Sequence, residues 1–277
     1  MRVKVIPKEA NPITGSTSYT AATTRALRKF LQAILLFLVV GKLWQFVRWD
    51  APLFYHFAGS DWSLFLRTFA CTTLGLTLIG ILLDKKPQLP AFLRNLLWSS
   101  TVILALNAYL SFVYKGYQPP QLIELSIQWS LPLFYLLFRR QNDYPSRNLI
   151  RWMKVAISLT FLGHGLYALG IPVLPGNFVN MTTSILGISP VQAEQFLFVA
   201  GGLDMLVCVG IWLPSLSRWS LLYAAFWGLT TALARVIAHV EIADMVGSLD
   251  RWLPEMLFRI PHGGLPLWLW WGVGRRK

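Results

Sequence analysis

Apolar and polar positions fall in long blocks along this chain, not at the short alternation of an ordinary globular fold. Eight mostly apolar blocks lie near 27–48, 62–83, 94–114, 121–138, 154–171, 192–213, 219–240 and 255–273. Each approaches the roughly 20 residues that a helix needs to cross a hydrocarbon layer. A segment in lipid has to satisfy its own backbone hydrogen bonds, so each block predicts a helix. Breakers and charges mark the gaps at Asp50 to Ser60, Asp84 to Pro90, Lys115 to Pro120 and Gln141 to Ser146. The fourth and eighth blocks are the shortest and contain Pro132 and Pro266, which predicts a kink or break in each. Residues 1–24 are rich in Thr and Ser and read as a short disordered tail. The first apolar block starts late and is long enough to span, which argues against a cleavable signal peptide.

The blocks repeat. Ser130-Leu-Pro-Leu-Phe-Tyr-Leu-Leu-Phe-Arg-Arg140 is echoed by Gly264-Leu-Pro-Leu-Trp-Leu-Trp-Trp-Gly-Val-Gly-Arg-Arg276, an offset of 134. Ile79-Gly-Ile-Leu-Leu83 is echoed by Val209-Gly-Ile-Trp-Leu213, an offset of 130. A near-constant offset in two separate helices predicts an internal duplication. Four spans return a chain to its starting side, so the two repeats are expected to be parallel, related by an axis along the membrane normal. The expected organisation is a tail at 1–24, a first four-helix repeat at 25–140, a linker at 141–153 and a second four-helix repeat at 154–277. The 172–190 connection, longer than its counterpart, is the main asymmetry.

Composition sharpens the class. Hydrophobic residues make up 55% of 277 positions and charged residues 13%, against roughly 25% charged in soluble domains. That much apolar side chain exceeds what a soluble fold can hide, so lipid is the expected solvent for most of the surface. The aromatic complement, with 13 Trp, 9 Tyr and 17 Phe, suits interfacial belts. The net charge of +13 does not point to nucleic acid, because no soluble basic domain exists to carry such binding. The basic residues report orientation instead. With the N-terminus inside, eighteen of the 25 fall on the inner side, from Arg2 through Arg25, Lys85, Arg139, Arg147 and Arg218 to Lys277. Arg48, Arg67, Lys115, Arg251 and Arg259 fall outside, and Lys42 and Arg235 within spans. Both termini are therefore expected in the cytoplasm. Cys71 and Cys208 sit inside apolar blocks without metal-ligand or disulfide spacing and read as inert thiols.

Ionisable groups within spans are costly and commonly face a bundle interior. Here they gather in the outer half. The fifth block has His164 between two glycines and then Tyr167; the sixth has Asp204; the seventh has Arg235 and His239. The eighth has Glu255, Arg259 and His262 on one helical face, and the fourth has Gln121, Glu124 and Gln128 on another. His164, Asp204, Arg235 and His262 are the candidate reactive groups. Tyr167, His239, Glu255, Arg259, Glu124 and Gln128 are the candidate binding groups. A purely structural alternative stands beside each: Arg235 pairing with Asp204 or Glu255 to hold helices together, His164 bonding a neighbouring helix, His239 lying at the interface. Lys42 is expected to snorkel or to be buried in the bundle. Three isolated histidines with no paired-His or CxxCH spacing disfavour haem and metal.

Phe161-Leu-Gly-His-Gly-Leu-Tyr-Ala-Leu-Gly170 and Gly201-Gly-Leu-Asp-Met-Leu-Val-Cys-Val-Gly-Ile-Trp-Leu213, followed by a turn with Arg218, resemble the first two helices of the DoxX/DoxD-like membrane family. The match covers about 155–240, with a weaker echo at Gly41-Lys42. Family members more often carry Glu where Asp204 stands. The resemblance implies a four-helix membrane unit and, for some members, quinone-coupled sulfur oxidation; it also places the chain in a cell membrane of the bacterial inner-membrane kind. Three functions remain open: a redox protein handling a quinone or small reductant, a transporter or lipid-binding protein with a pocket between the repeats, and a non-catalytic assembly partner. Whether the chain is an enzyme is likewise open.

Overall fold

The computed structural model describes residues 21–48, 50–55, 60–84, 88–141 and 144–273, and all of its regular elements are helices. They are α1 (Ala21–Val47), α2 (Pro52–Tyr55), α3 (Asp61–Leu82), α4 (Ala91–Tyr114), α5 (Pro119–Glu124), α6 (Ser126–Arg139), α7 (Arg147–Ala168), α8 (Gly176–Leu186), α9 (Pro190–Gly210), α10 (Ser217–Ile237) and α11 (Met245–Val273). The expected tail lies outside the described residues up to position 20, and residues 21–24 already belong to α1.

Five helical stretches are long and apolar enough to cross a membrane: Ala22–Tyr55, Trp62–Leu82, Ala91–Tyr114, Pro190–Gly210 and Ser217–Ile237. Their outward faces are apolar. Phe65, Phe69 and Ile79 on α3, Val199 and Leu206 on α9, and Trp219 and Phe226 on α10 are all exposed. Apolar surface on this scale is unfavourable in water and neutral in lipid, so the chain is built for embedding in a membrane.

The fourth and eighth blocks differ from expectation. The fourth is broken at Leu125, not at Pro132, which lies inside α6. The break frees the Ile127 N–H, and Thr160 Oγ1 of α7 accepts it at 3.2 Å. A neighbouring hydroxyl thus supplies the partner that lipid cannot. The eighth block, expected to be short, is the longest helix at 29 residues and carries Pro254, Pro261 and Pro266 without ending. The 172–190 connection holds α8, which stops at Gly187 in the left-handed conformation (φ 64°).

Side-chain bridges fix the helix directions. Asp84, just beyond α3, accepts from Arg139 Nε at 2.9 Å, Arg139 Nη2 at 2.8 Å and Tyr135 Oη at 2.7 Å, and pairs with Arg28 of α1 at 3.4 Å. Trp268 Nε1 of α11 donates to Leu27 O at 2.8 Å near the same end. At the opposite end Trp44 Nε1 donates to Asp250 at 2.8 Å, and Arg48 reaches both the backbone and the carboxylate of Asp250. Between the two ends Leu31, Leu35 and Leu38 of α1 are buried with Tyr135, Phe138, Leu265 and Trp268. Their spacing at i, i+4 and i+7 gives α1 a continuous core stripe.

Partial burial pushes the Asp84 carboxyl up, but the Arg139 and Tyr135 hydrogen bonds and the two guanidinium charges outweigh it and leave the group below its ordinary value. A carboxyl lowered on folding stabilises the fold above the ordinary Asp pKa, about 3.9, and that stability is lost as pH falls through the lowered value. Stability should therefore drop below about pH 4, and Asp84→Asn should be less stable at neutral pH with a flatter acid limb. Unfolding in detergent at stepwise pH checks both; parallel acid limbs in the two proteins would remove Asp84 as the source.

Candidate functional site

The break at Leu125 turns Glu124 toward α7 and α11. Glu124 is 3% exposed, so its charge needs partners. Arg259 Nη1 donates to Glu124 Oε1 at 2.8 Å, and His164 Nε2 lies 3.4 Å from the same oxygen. His262, one turn beyond Arg259, lies 3.2 Å from Gln128 Nε2, and its ring meets His164 edge to face at 5.8 Å. Four helices thus converge on one buried polar cluster. Glycine permits the approach. A Cβ on Gly163 would stand 2.7 Å from both Glu124 N and Pro120 O, which no side chain could yield to. Gly41 meets α11 in the same manner, at 2.7 Å from Phe258 N and 2.8 Å from Pro254 O.

Glu124 and Arg259 of this cluster line a polar cavity of about 540 Å³, with His164, His262 and Gln128 behind them. Its walls come from α1 (Lys42, Gln45), α4 (Asn107, Ser111), α5 (Gln121, Glu124), α7 (Tyr167), α8 (Phe178), α10 (Arg235) and α11 (Glu255, Arg259). A second, apolar cavity of about 140 Å³ adjoins it, sharing Phe178, Arg235 and Arg259 and lined also by His164, Phe196, Asp204 and Trp227. Phe178 separates the two. Its ring stacks at 21° on His164 with centroids 6.0 Å apart, and the Arg235 guanidinium lies 5.9 Å from the same ring.

The sequence-derived candidates divide accordingly. His164, His262, Glu124, Gln128 and Arg259 come together. Arg235 joins the polar wall, where Glu255 pairs with it at 3.6 Å; Asp204 forms no ion pair with it. Tyr167 Oη donates to Gln121 Oε1 at 3.5 Å on the same wall. Asp204 lies in the apolar cavity, where its Oδ1 has no hydrogen-bond partner. His239 stands apart: it stacks on Trp252 at 3.7 Å and its Nδ1 donates to Arg235 O at 2.9 Å, which ties down the end of α10. Among the described residues no three His, Cys, Asp or Glu side chains form a metal-binding group.

Comparison with protein-family models, with curated proteins and with solved structures finds no match.

Several wall residues, Lys42, Asn107 and Phe178 among them, were not among the candidates. Lys42 is only 3% exposed, held by Gln45 at 3.1 Å and by the Phe258 ring at 3.8 Å, so the buried alternative describes it and snorkelling does not. Asn107 was signalled by its place as a lone amide in an apolar run. Phe178 carried no signal, since one aromatic residue in a loop is ordinary.

The arrangement can hold a small polar molecule against ionisable groups and shield it from lipid. Glu124 lies 3.4 Å from His164, close enough for the two to exchange a proton, and the His262 ring packs edge-on beside them. Nothing in it resembles a nucleophile with its base.

Proposed function

We propose that this chain is a DoxX-like integral membrane protein that binds a small polar molecule in the cavity between its two halves. The carrying observation is a 540 Å³ polar cavity whose walls come from α1, α4 and α5 of the first half and from α7, α8, α10 and α11 of the second. Concave sites with a few convergent polar groups are where ligands bind, and ionisable groups at membrane depth usually mark such sites. Glu124 and Arg259 act as the ligand-facing groups, and His164 exchanges protons with Glu124 from behind it. Mass spectrometry of small molecules extracted from purified protein tests this. A ligand near one per chain in wild type, lost in Glu124→Gln with the fold retained, is the expected outcome. Protein that carries no ligand and binds neither short-chain quinones nor small organic acids would refute the reading.

The adjoining apolar cavity favours a quinone version of the same site. Phe178 and Trp227 offer faces for a planar ring there, and His164 and Arg235 offer donors for a quinone oxygen. Binding of a short-chain benzoquinone, weakened by His164→Ala, would support it.

In the same proposal the protein crosses a bacterial inner membrane eight times, as two parallel four-helix repeats with both termini in the cytoplasm. The reciprocal packing supports this: Gly41 of α1 lies against Pro254 and Phe258, and Gly163 of α7 against Pro120 and Glu124, partners 134 residues apart in each case. Gln128 and His262, also 134 apart, touch each other, as equivalent positions do at a two-fold axis. Reporter fusions at Gln141 and at the C-terminus should both report cytoplasm, and one at Asn180 the opposite side; a C-terminus on the far side breaks the proposal.

A further inference from the structure

The polar cavity is unequally charged. Lys42, Arg235, Arg259 and the exposed Lys115 line it, with only Glu124 and Glu255 as carboxylates. Each carboxylate already has an arginine, Glu124 with Arg259 and Glu255 with Arg235. Lys42 makes no ion pair among the described residues. Its ammonium has one neutral acceptor, Gln45 Oε1, and one aromatic face, Phe258. A neutral amide and a ring are weak compensation for a cation taken out of water. Two further polar atoms on this wall are buried without partners: Arg259 Nε and Asn107 Oδ1. The Arg259 Nε–H is a charged donor, which makes an anion its natural partner.

We infer that the cavity takes an anionic group, a carboxylate or phosphate, with Lys42 as its counter-ion and the free Nε–H edge of Arg259 as a second donor. This rests on the ligand-binding reading above and narrows it to acidic ligands. Lys42 and Arg259 stand on α1 and α11, so the anion bridges the two halves. Asn107, on α4, adds a group for a hydroxyl or amino substituent next to the acid. The same chemistry can arrive as a free organic acid or phosphate, or as the head group of an acidic lipid.

The test uses the full chain in phosphatidylcholine nanodiscs, with succinate and inorganic phosphate as soluble probes. Nanodiscs doped with phosphatidic acid serve as the lipid probe. Wild type should gain thermal stability with at least one probe and bind it saturably. Lys42→Met should weaken that binding at least tenfold. Exposed Lys29→Met, at the other end of α1, should bind as wild type does. A response to succinate or phosphate identifies a soluble ligand; a response confined to phosphatidic acid identifies a lipid. Without ligand, Lys42→Met should melt no lower than wild type, because it removes an uncompensated buried charge. Equal anion binding in Lys42→Met overturns the inference, and so does a Lys42→Met protein that fails to fold. Binding of a neutral quinone with no response to any anion overturns the inference but leaves the ligand-binding reading standing. Failure of every probe, neutral or anionic, overturns both.

Discussion

Arg259→Met should destabilise the protein by about 3–5 kcal/mol, the usual cost of stripping the partner from a buried charge. Glu124 would then keep only His164, at 3.4 Å, as an ionisable partner. Glu124→Gln alone should also be costly, since it strands Arg259. The double variant Glu124→Gln/Arg259→Met removes both charges and should lose much less stability than the two single losses added together. Unfolding of the four proteins in detergent gives the coupling energy directly. Additive losses would mean that the pair is not coupled and that the cluster is held by other contacts.

Gly163→Ala should be nearly as damaging to the site and somewhat less so to stability, by about 1–3 kcal/mol for an overpacked contact. The added methyl would strike backbone on α5, at Glu124 N and Pro120 O, and so would push α5 and its carboxylate away from α7. Gly41→Ala should behave alike, against Phe258 and Pro254 of α11. Gly75→Ala, with nothing within 4 Å of its Cβ, should be neutral or stabilising by roughly 0.5–1 kcal/mol. Melting temperatures of the three variants separate these outcomes. A tolerated Gly163→Ala together with a damaging Gly75→Ala would contradict the close α5–α7 packing.

The helices were legible because hydrophobic block length is a strong signal, and each of the eight blocks is mostly helical, although several run up to three residues past a helix end and the fourth is split at Leu125. Helix ends in polar context were harder. Met245 to Arg251 looks like loop by hydropathy, yet α11 begins there, because Asp250 is tied to Trp44 and Arg48 of α1. The break at Leu125 was misplaced to Pro132, since proline is the visible breaker while the compensating acceptor, Thr160, lies on another helix. Site residues on one helix face, Glu255, Arg259 and His262, could be grouped from spacing alone. Their partners could not be, because Glu124 and Gln128 approach from α5 and α6, 135 and 134 residues away in the chain from Arg259 and His262. Choosing between Asp204 and Glu255 as the partner of Arg235 depends on helix rotation, which composition does not encode.

The central claim, a polar ligand site open between the halves at membrane depth, is tested most directly by two neighbouring thiols on α4. Asn107 lines the polar cavity, while Leu106, adjacent in sequence and 40% exposed, faces outward among apolar residues. In a chain with Cys71 and Cys208 replaced, Asn107→Cys and Leu106→Cys would be challenged in vesicles with an anionic, membrane-impermeant methanethiosulfonate. Modification of Asn107→Cys alone, slowed by bound ligand, is the predicted result. Modification of Leu106→Cys with a silent Asn107→Cys, or silence at both, would contradict it.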